Sequence, residues 1–208
     1  MKLIAVISLI LISQAAFAQS AKRGQYKSSK LGATTYNYTG SNYTSFANGS
    51  PAYGVEFSVD AGGSYLRYFF KARFNQSIGS QNFTRSGTVY FSKYEFYSVE
   101  PEIGFALYPV MRAERGLSMY LWGVANLNYD YLNIKQIPST VSGVDAKQQA
   151  IGVGFGGGIG GDFILYTTKG GNRILIYGEL GFRNTTAPLA GASSFEIGGM
   201  TTSVGFGF

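Results

Sequence analysis

The sequence predicts an all-β fold, a transmembrane antiparallel up-and-down β-barrel of about eight strands. Apolar residues alternate with small or polar ones along several segments, most clearly in Tyr53–Asp60 and Met200–Phe208. Gly, Tyr and Phe number 29, 16 and 16, whereas only 13% of the residues are charged. This composition suits a glycine-rich and aromatic-rich sheet better than a helical protein.

The first 18 residues resemble a secretory signal peptide rather than a structural element. Lys2 supplies a positive start, Leu3–Ile12 an apolar core, and Ala16–Ala18 an A-x-A cleavage site. We therefore expect cleavage between Ala18 and Gln19, with residues 19–208 forming one barrel domain. A retained membrane anchor is less favoured, because a spanning helix needs roughly 20 apolar residues. The remaining chain has no long apolar run, so it is either soluble after export or a barrel.

The strands are placed between clusters of turn-forming residues. Their predicted spans are 30–39, 52–61, 64–75, 95–108, 117–131, 148–167, 172–184 and 195–208. Four predicted connections are long and rich in Ser, Thr, Asn and Gly: Gly40–Pro51, Gln76–Tyr94, Leu132–Lys147 and Thr185–Ser194. The others are shorter: Gly62-Gly63, Pro109–Gly116 and Lys169–Gly171. Short turns at one end and long loops at the other are typical of transmembrane barrels.

The second and third strands define two faces. A two-residue hairpin at Gly62-Gly63 places Asp60 opposite Tyr65 and Ser58 opposite Arg67. The same parity gathers opposite charges on one face and hydrocarbon on the other. The charged face holds Glu56, Asp60, Arg67, Lys71 and Arg73; the apolar face holds Tyr53, Val55, Phe57, Val59, Leu66, Tyr68, Phe70, Ala72 and Phe74.

The sixth strand alternates glycine with larger residues between Ala150 and Gly161. Glycine weakens a strand interior unless space or curvature requires it, and the narrow, filled lumen of a small barrel supplies that requirement. Gly152, Gly154 and Gly157 also match the G-x-G-x-x-G dinucleotide fingerprint. That fingerprint needs a strand followed by a helix. No helical periodicity follows, so a nucleotide site is not favoured.

A hairpin at Gly170-Gly171 places Asp162 opposite Glu179. Two such carboxylates can share a proton, as in a catalytic dyad. The favoured interpretation is that a lumen cation such as Arg183 or Lys71 neutralises them. The predicted lumen charge network therefore comprises Glu56, Asp60, Arg67, Lys71, Arg73, Asp162, Glu179 and Arg183.

Alternation alone does not show which face of the sheet points outward. The export signal and the alternating loop lengths favour an apolar face turned to lipid. Aromatic residues near strand ends also suit the interfacial girdles of a membrane barrel. These residues are Tyr53, Phe74, Tyr108, Tyr129, Tyr131, Phe182, Phe206 and Phe208.

The last alternating segment ends on Phe208. With this closing aromatic, the chain resembles the small eight-stranded bacterial outer-membrane barrels typified by the OmpA transmembrane domain and OmpX, over nearly all of residues 19–208. The resemblance implies location in the bacterial outer membrane and contact with its lipids. It also implies that the barrel-assembly machinery reads Phe208 as an assembly signal. Members of this family are surface adhesion or interaction proteins, membrane-stabilising proteins and occasionally lipid-modifying enzymes.

The composition favours a protein that is not an enzyme. The chain has no His and no Cys, so neither Ser-His nor Cys-His chemistry can be built. We predict no catalytic residue, cofactor, metal site or nucleic-acid partner. The favoured function is structural support or surface interaction, including adhesion, through the long loops with an extracellular ligand. The alternatives are a small pore and, less favoured, a lipid-modifying enzyme. The lumen of about eight strands is normally filled, whereas open channels appear at about 16.

Overall fold

The computed structural model describes residues 26–39, 47, 50–85, 88–111, 114–137, 146–190 and 198–208. The predicted signal peptide and its Ala18-Gln19 cleavage site lie outside these residues. Among the described residues, no helix is long and apolar enough to cross a membrane.

Eight antiparallel strands form a closed barrel in which each strand pairs with its neighbours in the sequence. The predicted fold class is confirmed. The strands are β1 (Tyr26–Tyr38), β2 (Ala52–Gly62), β3 (Leu66–Arg85), β4 (Thr88–Leu107), β5 (Gly116–Ile137), β6 (Ala146–Thr167), β7 (Arg173–Ala190) and β8 (Gly198–Gly207).

The barrel closes where β8 pairs with β1, from Lys30 opposite Gly207 to Tyr38 opposite Gly199. Phe208 continues this pairing just beyond β8. Its N–H donates to the Ser29 carbonyl oxygen at 2.8 Å, and the Ser29 N–H donates to the Phe208 carbonyl oxygen at 2.7 Å. The backbone groups at this seam are therefore satisfied within the chain, as a barrel requires.

Several strands are longer than the sequence predicts. The predicted connection Gln76–Tyr94 is wrong, because β3 and β4 pair up to Arg85 opposite Thr88. The predicted connections Leu132–Lys147 and Thr185–Ser194 likewise begin with paired strand, which reaches Ile137 in β5 and Ala190 in β7. These upper strand segments carry many polar residues. A polar strand has the same composition as a loop, so composition could not separate the two.

The turn between β2 and β3 has a different register from the predicted one. Gly62 pairs with Arg67, and the Gly63 N–H donates to the Leu66 carbonyl oxygen at 2.8 Å. The tip is therefore Ser64–Tyr65 rather than Gly62-Gly63. Ser58 consequently lies opposite Lys71, not Arg67. Because the partner moves by an even number of residues, every side chain stays on its predicted face.

The register between β6 and β7 also differs from the prediction. A bulge lies between Ile164 and Tyr166. The connection is a three-residue turn between Thr168 and Asn172 instead of a two-residue hairpin, and the turn and the bulge each shift the register by one residue. Asp162 therefore lies opposite Tyr177 and Glu179 opposite Gly160, so the predicted facing of Asp162 and Glu179 is wrong. The turn itself spans Lys169–Gly171, as predicted, and Gly171 has a φ of 84° that favours glycine.

The two faces of the barrel wall have opposite character. Apolar side chains cover the outside; Val55 is 56% exposed and Phe206 67%. Charged side chains point inward, and Arg67 and Arg73 are only 1% and 2% exposed. The predicted girdle residue Tyr108 is an exception. It is 2% exposed and points into the lumen, because it follows the outward-facing Leu107 at the end of β4.

Apolar side chains also fill part of the lumen. An upper aromatic cluster lies toward the long-loop end, and a lower aromatic cluster lies toward the short-turn end. The upper aromatic cluster includes Tyr36, Tyr38, Ala47, Ala52, Tyr94, Phe96, Leu132 and Ala150. The lower aromatic cluster comprises Phe69, Ala106, Tyr108, Tyr120, Trp122 and Val124. The charged residues of the lumen lie among and between these clusters.

Candidate functional site

The buried charges of the lumen form a ladder of ion pairs. Its lower step joins β1, β2, β3 and β6. Lys30 Nζ lies 2.6 Å from Asp162 Oδ1 and 3.7 Å from Asp60 Oδ2. Arg67 Nη1 lies 2.7 Å from Asp60 Oδ2 and 3.4 Å from Asp162 Oδ2. Each carboxylate in this step thus contacts both cations.

The middle step joins β2, β3 and β7. Arg73 Nε donates to Glu56 Oε2 at 2.7 Å. Lys71 Nζ donates to Glu179 Oε2 and lies 3.7 Å from Glu56 Oε1. Arg67 Nη2, from the lower step, lies 3.9 Å from Glu179 Oε1. Glu179 therefore connects the lower and middle steps.

The upper step consists of Arg183 and Glu102, which approach each other across the lumen. Arg183 Nε and Nη2 donate to the two oxygens of Glu102 at 2.5 and 3.1 Å, a bidentate contact. Arg73 Nη1 donates to Glu102 Oε1 at 3.1 Å and so links the middle and upper steps. The ladder is continuous from Asp60 to Arg183.

Tyrosine hydroxyl groups donate hydrogen bonds to three carboxylates of the ladder. Tyr108 donates to Asp162 Oδ2 at 2.9 Å, Tyr120 to Glu179 Oε1 at 2.8 Å, and Tyr177 to Glu56 Oε1 at 2.7 Å. A buried carboxylate is stable only when its lone pairs are satisfied as well as its charge. These tyrosines supply the donors that Lys and Arg do not.

Three lumen aromatics lie directly opposite glycine on a neighbouring strand. Tyr120 faces Gly160, Trp122 faces Gly158, and Tyr177 faces Gly205. A Cβ atom added at these glycines would lie 2.4, 2.7 and 2.8 Å from the respective rings. The glycine run of β6 therefore provides space for large rings that cross the lumen. The rings in turn contact cations, with the Arg67 guanidinium carbon 4.4 Å from the Tyr120 ring centroid.

The structure brings the predicted network residues into one ladder, although several partners differ from those expected. Of the two cations proposed to neutralise Asp162 and Glu179, Lys71 contacts Glu179, whereas Arg183 contacts Glu102. Among the described residues, no three His, Cys, Asp or Glu side chains are grouped so that they could hold a metal ion.

Sequence reasoning missed Lys30, Glu100, Glu102 and Asp130, all of which are buried in the lumen. The alternation Glu100-Pro101-Glu102 was a usable signal, since both acids share a face. Lys30 stands at the start of the predicted first strand, but its contact with Asp162 spans 132 residues of sequence. A local sequence pattern cannot predict a contact between residues on opposite sides of the lumen.

Solved structures show the same architecture. The attachment invasion locus protein Ail of Yersinia pestis aligns with 90% of this chain and 100% of its own, with a TM-score of 0.51 and 11% identity. A major outer membrane protein from Thermus thermophilus aligns with 87% of this chain and 99% of its own, with a TM-score of 0.51 and 10% identity. The chain has the fold of the small eight-stranded outer-membrane barrels. At these identities the similarity shows the fold alone. No protein-family model and no curated protein matches the sequence.

Proposed function

We propose that this protein is a non-enzymatic barrel of the bacterial outer membrane. In this proposal it is exported through a cleaved signal peptide and binds partners at its cell-surface end. The apolar exterior supports the membrane location, because exposed apolar surface on this scale marks a membrane or protein interface. The ladder supports a structural lumen, since each carboxylate of Asp162 and Glu179 is held by a cation and a tyrosine.

The main support for the surface role is that the strands differ in length. β3 and β4 pair over their full length of 20 residues, and β5 and β6 are 22 residues long. By contrast, β1, β2 and β8 have 13, 11 and 10 residues. A transmembrane strand needs only about 9–11 residues. The upper parts of β3–β6 therefore form an extension of the wall beyond the membrane, a rigid platform of the kind that commonly carries recognition.

The exposed charges of this extension suggest an acidic partner. Lys93 and Lys135 lie directly opposite each other on β4 and β5, and both are exposed. Lys147 is exposed on the adjacent β6, opposite Asn133. Like charges that face each other across strands are destabilising. An acidic glycan beyond the membrane surface would relieve that repulsion. The chain's formal net charge of +6, which becomes +5 once Lys2 is removed with the signal peptide, has the matching sign.

Excising the β3–β4 extension tests the surface role. Gly79 and Tyr94 face each other, so residues 80–93 can be replaced by an Asn-Gly turn without changing the pairing below them. The shortened barrel should still fold in the membrane, but cells that display it should bind less immobilised heparin, the acidic-glycan probe, than cells with the intact barrel. Immobilised dextran controls for uncharged adhesion. Full heparin binding by the shortened barrel would contradict the proposal.

The lumen and the location need separate tests. Glu179→Gln, a change inside the ladder, should leave heparin binding intact. If Glu179→Gln abolished heparin binding while the shortened barrel kept it, a lumen-based function would be favoured. Membrane fractionation and N-terminal sequencing should find the protein in the outer membrane, starting at Gln19. Recovery from the soluble periplasm would contradict the membrane location.

A further inference from the structure

Above the ladder, the lumen contains buried oxygen atoms that lack hydrogen-bond partners. Among the described residues there are four such side-chain oxygens: Tyr36 Oη, Glu100 Oε2, Asn126 Oδ1 and Asp130 Oδ1. Three of them, in Tyr36, Glu100 and Asp130, lie in the upper lumen on β1, β4 and β5, and we refer to these three residues as the acidic layer. Asn126 lies lower, opposite Glu102 of the ladder. The layer therefore presents several buried acceptor oxygens to which no described side chain donates.

Glu100 shows how one-sided the hydrogen bonding is. Its Oε1 accepts from Tyr38 at 3.2 Å, Asn75 at 3.3 Å and Ser98 at 3.1 Å, whereas its Oε2 accepts from no described residue. Ser98 lies directly opposite Asp130 and is within hydrogen-bonding reach of it. A single hydroxyl proton cannot serve both carboxylates. Asp130 thus keeps an unsatisfied oxygen too.

No ion pair within the described residues compensates these two carboxylates. The nearest guanidinium groups, Arg73 and Arg183, are both engaged with Glu102 in the upper step of the ladder. The upper aromatic cluster covers the layer on the other side, with the Tyr36 and Tyr38 rings stacked at 3.8 Å. Glu100 and Asp130 are 0% and 3% exposed. Isolated ionised carboxylates at such depth are very costly unless they are paired or coordinate a metal.

We propose that the acidic layer binds one divalent cation of calcium size. The carboxylates of Glu100 and Asp130 supply two negative charges, and the Tyr36 hydroxyl oxygen supplies a neutral ligand. All of these are hard oxygen donors, the type that Ca²⁺ takes from proteins together with water. Ca²⁺ accepts six to eight ligands in flexible geometry, whereas Mg²⁺ demands a near-ideal octahedron. A layer assembled from three strands suits the more tolerant ion.

Calcium titration of the purified protein in detergent tests the proposal. Isothermal titration with CaCl2 should give one site per chain, with weaker binding of MgCl2. Tb³⁺ should replace Ca²⁺ and luminesce when the neighbouring tyrosines are excited. The double variant E100Q/D130N keeps the shape but removes the charge, and its calcium affinity should fall by at least roughly tenfold. Glu95→Gln is the matched control, because Glu95 lies on the outer face of β4 and accepts from Asn133 at 3.2 Å.

Each outcome decides for or against the site. Absence of a calcium site in the unaltered protein overturns the proposal, as does equal affinity in E100Q/D130N. Tighter binding of MgCl2 than of CaCl2 overturns the choice of ion. If the unaltered protein binds no cation and E100Q/D130N is more stable, then protons neutralise the carboxyls and the proposal is wrong. If the double variant does not fold, Asp130→Asn alone must show the loss of affinity.

Discussion

Glu56 and Arg73 face each other directly across β2 and β3, and the Arg73 Nε donates to Glu56 Oε2 at 2.7 Å. The pair stands at the centre of the ladder, because Arg73 also donates to Glu102 on β4. The register of β2 and β3 therefore brings the two side chains together, and the ion pair in turn stabilises that register. If either strand slipped by one residue, its member of the pair would turn to the apolar exterior and the ion pair would be lost.

Breaking this pair on one side should destabilise the barrel. Glu56→Gln leaves the Arg73 guanidinium buried without its nearest carboxylate, a change that costs roughly 3–5 kcal/mol for a desolvated pair. Urea unfolding in lipid vesicles, with Arg73→Gln and the double variant completing a mutant cycle, measures the coupling. If the effects of the two single changes on the free energy of unfolding were additive, the proposed coupling in the ladder would be contradicted.

Enlarging one lumen glycine should disturb the ladder through an aromatic ring. A Cβ at Gly160 would lie 2.4 Å from the Tyr120 ring, which must then move away from Glu179 and Arg67. We expect Gly160→Ala to lower the free energy of unfolding by about 1–3 kcal/mol, as overpacking does. Gly178→Ala is the matched control, since its Cβ would meet its nearest neighbour, the Ser203 carbonyl oxygen, at 3.8 Å. Equal effects of the two changes would show that the ring is not the cause.

The faces of the strands could be predicted from the sequence, and the partners could not. The strand period of two assigned Glu56, Lys71 and Arg73 to one face whatever the turn did. Their cross-strand partners depend on the turn at Ser64–Tyr65. The sequence predicted this turn two residues earlier, at a glycine pair. The bulge beside Ile164 has no sequence signature that distinguishes it from regular strand, yet together with the three-residue turn it decides which residue lies opposite Asp162.

Contacts across the lumen were beyond sequence reasoning for a different reason. Arg183 and Glu102 lie on strands that do not pair, so no register relates them. Such contacts follow from the closure and radius of the barrel, which are global properties. Glycine was the one available clue, since Gly160 and Gly158 indicate where large rings cross. The sequence showed the glycine run without showing which rings fill it.

The filled lumen should make the protein non-conducting. The ladder from Asp60 to Arg183 and the lower aromatic cluster occupy the space through which ions would pass. Purified protein in planar bilayers should therefore show no steady conductance of the size given by barrels of about 16 strands. A stable open channel of that size would revive the pore alternative.

Phe208 should matter for assembly more than its neighbour on the same face. Both Phe206 and Phe208 are exposed, and the backbone of Phe208 pairs with Ser29. Phe208→Ala keeps those backbone bonds, so its effect reports recognition of the side chain by the assembly machinery. We expect less folded barrel in the outer membrane for Phe208→Ala than for Phe206→Ala, measured by membrane fractionation. Equal amounts of folded barrel for the two variants would contradict the role of Phe208 as an assembly signal.

We expect the facing lysines of the extension to lower the stability of the barrel and to strengthen its binding to heparin. Lys135→Gln removes the repulsion with Lys93 and should leave the free energy of unfolding unchanged or raise it by about 0.2–1 kcal/mol. The same change should weaken heparin binding by displayed cells, and the weakening should shrink as salt is added, because exposed charges are screened. Lys169, exposed in the turn between β6 and β7 at the opposite end of the barrel, provides the control. Lys169→Gln should change neither property. If Lys169→Gln reduced heparin binding as much as Lys135→Gln, net charge rather than the extension would be responsible.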